Sequence, residues 1–104
     1  MDYNLVVVDH ADEQIDKLVG YIIDRLKNPD AAMRFLDGLE KIYERLREHP
    51  LQFPACTDEF LRKRGYHEAL VPEMNYRVIF RIESQNVYIV GVFHALENYE
   101  SKIQ

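Results

Sequence analysis

Two arginines and one histidine near the C-terminal end carry the most chemistry in this sequence: Arg77, Arg81 and His94. Arg77 and Arg81 stand four apart within Tyr76-Arg77-Val78-Ile79-Phe80-Arg81. On an extended strand that spacing sends both guanidinium groups to one face. Their planar forks of donors suit a phosphate or a carboxylate. His94 ends the next apolar run, Val87 to Phe93. If the two runs pair across the tight connection Ser84-Gln85-Asn86, their far ends meet and position 94 falls beside 76–77. An arginine to bind an anion and a histidine to move a proton would then share one open end of a sheet. A third group, Arg62-Lys63-Arg64, leads into Gly65-Tyr66-His67 and could extend a positive face. Each has a plainer reading. Arg77 and Arg81 could be solvent-facing strand positions paired with Glu68 or Glu83. His94 could be a strand-end residue bonded to backbone, and the basic run a surface loop.

Other chemistries find no support. The histidines at 10, 49, 67 and 94 have no metal-ligand spacing, and the single cysteine, Cys56, excludes both an internal disulfide and a cysteine-cluster zinc site. No activating residue is obvious near Cys56, so it reads as a buried or idle thiol. There is no glycine-rich phosphate loop and no nucleophile elbow. No metal or other cofactor is expected.

The elements that must hold these residues follow from patterning. Residues 3–8 are rich in β-branched types and read as a strand. Asp9 is the expected N-cap of a helix over residues 11–26, whose apolar face is Ile15, Leu18, Val19, Ile22, Ile23 and Leu26. Lys27-Asn28-Pro29-Asp30 breaks it, Asn28 being suited to close the helix. A second helix from about Asp30 to before Pro50 carries Phe35, Leu36, Leu39, Ile42, Tyr43 and Leu46 on one stripe. The short link makes the two an antiparallel hairpin. Gly38 within the second helix is expected to allow close packing on the first. Residues 50–64 read as loop with at most a short turn. From Gly65 the period becomes extended: a strand over 66–71, a turn at Glu73-Met74-Asn75, then strands over 76–82 and 87–93. Tyr76, Val78, Phe80 and Ile82 should face the helices, and the last strand, nearly all apolar, should be central with both faces covered. Residues 95–104 read either as a short helix or as a mobile end. The expected fold is α+β in two layers, an N-terminal strand and a helical hairpin packed on a mainly antiparallel four-stranded sheet.

A chain of 104 residues, 47% hydrophobic and 30% charged, reads as one globular domain over 1–104. The net charge of −5 argues against non-specific coating of nucleic acid. That charge is uneven: residues 1–60 hold seven basic and thirteen acidic residues, and residues 61–104 six and five. The longest early apolar run is Leu5 to Val8, with no basic segment before it. Neither a signal peptide nor a membrane span is expected, and the expected location is the cytosol.

Taken in order, several segments resemble the RelE/ParE superfamily, the toxin halves of type II toxin–antitoxin systems. They are the opening strand and the helix pattern Ala11…Ile15…Leu18…Tyr21-Ile22, then Asn28-Pro29-Asp30-Ala31-Ala32-Met33-Arg34-Phe35. Leu46…His49-Pro50, Asn75 to Ile82 and Val87 to His94 complete the series. The resemblance covers nearly the whole chain. It implies a growth-arresting toxin neutralised by a cognate antitoxin, with the same two-layer fold. One branch of the family cuts messenger RNA on the ribosome and another inhibits DNA gyrase without being an enzyme. On the nuclease reading Arg77 would contact the scissile phosphate and His94 would donate a proton. Arg81 or Lys63 would then add positive charge, Glu73 or Glu68 would be the base, and Tyr99 would stand in for a C-terminal tyrosine. Arg62, Lys63 and Arg64 would meet nucleic acid or another target. The acidic total and the short basic run depart from the strongly basic ribosome-dependent members. The Asn-Pro-x-Ala-Ala segment and the Val-Phe-His strand end favour the ParE-like branch. A third possibility is a non-toxic module that only binds antitoxin.

Overall fold

The computed structural model describes residues 2–94; the expectations for 95–104, Tyr99 among them, lie outside those residues. β1 (Asn4–Val7) runs straight into α1 (Asp9–Asp24). Val8, not Asp9, holds the N-cap position, with extended backbone and no side-chain cap. Asp9 is instead the first helical residue, and with Asp12 it places negative charge at the positive end of the helix dipole. α1 stops at Asp24, two residues short of Leu26, and Lys27 turns the chain with a left-handed φ of 53°. α2 (Pro29–Glu48) then begins one residue earlier than Asp30. Asn28 opens this second helix rather than closing the first: its Oδ1 accepts the Ala31 N–H at 3.0 Å. Pro29 occupies the first turn, where a missing N–H has no intrahelical acceptor to lose.

Gly38 does permit a close approach, but not to α1. A Cβ there would stand 2.9 Å from Val71 Cγ1 and 3.5 Å from Pro72 Cδ, so α2 presses on the end of the sheet. The segment expected to be loop holds a 3₁₀ turn (Pro50–Gln52) and a short helix, α3 (Glu59–Lys63). Asp58 caps α3 by accepting the Leu61 N–H at 3.0 Å.

β2 (His67–Leu70), β3 (Tyr76–Glu83) and β4 (Asn86–His94) form an antiparallel meander, and β1 joins it parallel to β4. The strand order is β1-β4-β3-β2, which makes β4 central as expected. On the face under α1 and α2, Val78, Phe80, Val87, Ile89 and Val92 pack with Ile22, Phe35, Leu39 and Leu46. Tyr76 and Ile82 join them, as the alternation of β3 requires. The opposite face carries a smaller cluster, Cys56, Leu61, Ile79 and Phe93, beneath α3. Being five residues long, α3 covers only part of that face, so Tyr88 and Val90 on β4 stay half-buried rather than fully covered. The architecture is α+β, a helical hairpin on one face of a mainly antiparallel four-stranded sheet.

One irregularity sets where side chains point. Ile79 pairs with Gly91 but Phe80 pairs with Ile89, leaving Val90 as an extra residue on β4. The bulge lets Ile89 and Val92 both face the helices while Phe93 faces α3. Gly91 is required beside it, because a Cβ there would overlap the Phe93 ring.

Candidate functional site

Arg77 lies on the face beneath α3, where the chain between Pro54 and Tyr66 folds over the sheet. Cys56 N–H donates to the Tyr66 carbonyl and Glu68 N–H to the Pro54 carbonyl, so this segment is tied to the β2 side. It delivers Thr57 to Arg77. Arg77 Nη1 donates to Thr57 Oγ1 at 3.0 Å and to Glu68 Oε1 at 3.4 Å. The same Glu68 oxygen accepts the Thr57 backbone N–H at 3.4 Å. Glu68 is 6% exposed, the one charged residue in the described core. A buried carboxylate needs a paired cation, and Arg77 supplies it. The Glu68 pairing is the plainer reading of Arg77 given above; Thr57, twenty residues away in sequence, was not recoverable from spacing. Glu68, named as a candidate base, is thus engaged in this ion pair. Glu73, the other, sits in the β2–β3 turn with a φ of 63°.

Arg81 shares the Arg77 face. It pairs with Glu83 and lays its guanidinium 4.4 Å from the centre of the Tyr88 ring. His94 pairs in register with Tyr76, as the hairpin geometry suggested, and packs edge-on against its ring at 5.5 Å. Tyr76 in turn meets Phe35 of α2. His94 therefore belongs to the helix side of the sheet and Arg77 to the α3 side. The two residues meet at one end of the strands but on opposite faces.

The basic run is exposed on and after α3. Lys63 pairs with Glu59 at 3.0 Å, Arg62 donates to the Thr57 carbonyl, and Arg64 lies 3.6 Å over the Phe60 ring. Cys56 is buried, and burial, reinforced by Glu68 and Asp58, pushes its thiol up to about 12 despite the opposing Arg77. It is inert at neutral pH. Among the described residues no group of three or more His, Cys, Asp or Glu is placed to hold a metal ion.

Sequence patterning also missed a cleft of about 430 Å³ between the helical hairpin and β1. Val7, Ile15, Leu39 and Tyr43 line it, with Asp12, Glu40 and Arg47 among its charged residues. Burial, then Asp12, pushes the Tyr43 phenol up to about 12, Arg47 opposing. Its hydroxyl finds no hydrogen-bond partner among the described residues. The signal was present in the sequence: the Leu39, Tyr43, Arg47 spacing continues the apolar stripe of α2 into a polar edge.

Residues 5–99 match the family described as the ParE toxin of type II toxin–antitoxin systems, parDE. No curated protein matches the sequence. Among solved structures, the chain is similar to one of the chromosomal ParDE toxin–antitoxin system from P. aeruginosa. The TM-score is 0.72 at 14% identity over 88% of this chain and 95% of that one. It is also similar to a chain of the toxin–antitoxin complex RelBE2 from Mycobacterium tuberculosis, with TM-score 0.58 and 21% identity over 90% and 92%. A double arginine-to-alanine mutant of the E. coli toxin RelE in the free state matches at TM-score 0.61 and 17% identity over 99% and 95%. These likenesses bear on the fold.

Proposed function

The chain belongs to the ParE toxin family of type II toxin–antitoxin systems, and on that premise we propose that it arrests growth by inhibiting DNA gyrase, without cutting RNA, and is held inactive by a cognate antitoxin. The observation that carries the non-nucleolytic part is the placement of Arg77. Its guanidinium is bonded to Thr57 and Glu68 on one face, while His94 stands on the other. A phosphodiester cleavage needs a proton donor and an anion binder within reach of one phosphate. Arg81 is likewise engaged, by Glu83 and Tyr88. Arg62, Lys63 and Arg64 remain the exposed basic face, and they are the residues proposed to contact the target.

Two parallel assays on the purified chain test the proposal. The expected result is loss of gyrase supercoiling at stoichiometric toxin, weakened by Arg62→Ala/Lys63→Ala, with a transcript left intact in a bacterial translation extract. Cuts at ribosome-occupied codons, lost in Arg77→Ala, would overturn it in favour of a ribosome-dependent nuclease. A chain that leaves both gyrase and transcript untouched, and is harmless when expressed alone, would be an antitoxin-binding module instead.

A further inference from the structure

The two faces of the sheet are covered to different extents. The helical hairpin spans one. Among the described residues only α3 and its flanking chain lie on the other, over Ile79 and Phe93. The rest of that face is open. Val6, Tyr88 and Arg81 stand opposite one another on β1, β4 and β3, so their side chains share it. Val90 of β4 and Phe60 of α3 both pack against the α3 cluster. A band of apolar side chains therefore runs from Phe60 through Val90 and Tyr88 to Val6. Val6 is 39% exposed and the other three are half-buried. Two arginines lie on this band, Arg64 at 3.6 Å from the centre of the Phe60 ring and Arg81 at 4.4 Å from that of Tyr88. Stacking holds each guanidinium against the surface before any partner arrives. Arg62 and Lys63 are exposed beside Arg64. These four cations outnumber the carboxylates of the same face, Asp58, Glu59 and Glu83, on a chain whose net charge is −5. It is the basic side of an acidic protein.

We propose that this face is the docking surface for the target protein: an acidic patch of gyrase seated across α3, Tyr88 and Val6, with an apolar side chain set against Val6 and Val90. This rests on the gyrase reading above and extends its contact from the basic run across the open sheet. Tyrosine and arginine are the side chains that most often anchor a protein interface, and here Tyr88 and Arg81 form a stacked pair at the middle of the band. The apolar band supplies area and the stacked arginines supply the charge that an acidic partner matches. A nucleic-acid duplex fits less well. Its uniformly negative backbone cannot avoid Asp58, Glu59 and Glu83, whereas a protein can set a donor opposite each. A second copy of this chain fits less well too, because a twofold pair would set Arg62, Lys63, Arg64 and Arg81 against their equals.

The test measures binding of the full chain to purified gyrase without DNA, beside the supercoiling assay, for the parental chain and two variants. Val6→Glu changes only an exposed side chain and sets a carboxylate against the acidic partner. Tyr88→Ser removes the ring on which Arg81 rests, and thermal unfolding shows whether that variant is folded. The expected result is binding that weakens as salt rises and a loss of about tenfold or more in affinity for each variant. Inhibition by the parental chain with parental affinity in Val6→Glu would overturn the docking surface while leaving the gyrase reading intact. A parental chain that neither binds nor inhibits gyrase would remove that reading as well. Binding that appears only with DNA, and equally on a DNA fragment alone, would assign the face to nucleic acid and overturn the protein partner. Self-association of the toxin that is lost in Val6→Glu would assign it to a second copy and overturn it likewise.

Discussion

Arg77→Ala separates a structural arginine from a working one. Arg77 Nη1 reaches Thr57 Oγ1 at 3.0 Å and Glu68 Oε1 at 3.4 Å, with the two charged side chains 26% and 8% exposed. A fully exposed ion pair contributes at most about 1 kcal/mol. Removing one partner of a fully buried pair costs about 3–5 kcal/mol, because the other charge is left uncompensated. One partner here is nearly buried and the other is a quarter exposed, so the loss should fall between, at about 2 kcal/mol. In a domain of this size that lowers Tm by roughly 8–16 °C. Thermal unfolding followed by circular dichroism reads it directly. Glu68→Ala should cost a similar amount, and the double variant should fall short of the sum by about 1 kcal/mol, since the second substitution removes a group already without its partner. Growth arrest by Arg77→Ala should fall only as far as its folded fraction does. A Tm within roughly 2 °C of the parent, combined with abolished toxicity, would refute the reasoning and return Arg77 to a target-contacting role.

Gly91→Ala drives a methyl into the buried Phe93 ring, and the urea midpoint should report a loss of about 2 kcal/mol. Asn28→Ala leaves the Ala31 N–H at the start of α2 without its side-chain acceptor and should cost about 1 kcal/mol in the same assay. Cys56 should resist iodoacetamide at pH 8 in the folded chain and react on unfolding, because its thiol is pushed up to about 12 from an ordinary 9.0. The folded state then holds a proton that the unfolded state releases, so this stability is intact below pH 9.0 and declines towards pH 12. Cys56→Ala should flatten that part of the decline, measured as midpoint against pH.

Much of the fold was legible because it rests on periodicity. The alternation at 76–82 and the stripe Phe35, Leu39, Ile42, Leu46 each name a buried face, and both faces meet in one core. What patterning missed was local and short. α3 has five residues, too few for a period to emerge. Asn28 suits either end of a helix. It serves α2 because Pro29 fixes the backbone needed at a first turn and bars the residue before it from the helical region. Gly38 was correctly tied to close packing, but its neighbour is Val71, thirty-three residues on, which no helical spacing predicts.

The candidate site was legible in position and not in direction, and the reason is parity. Pairing across Ser84 and Gln85 sets Tyr76 opposite His94 and Arg77 opposite Phe93. Residues directly opposite in an antiparallel pair share a face. Arg77 and His94 are therefore one register step apart and point to opposite sides. The bulge at Val90 is the cause: pairing carried without it from Glu83 and Asn86 would set His94 opposite Asn75, on the face of Arg77. The same unbulged register would turn Val92 towards α3 and Phe93 towards the helices, exchanging residues between the two cores. The packing that keeps the bulge, with Val92 beneath the helices and Phe93 beneath α3, thus holds these two groups apart.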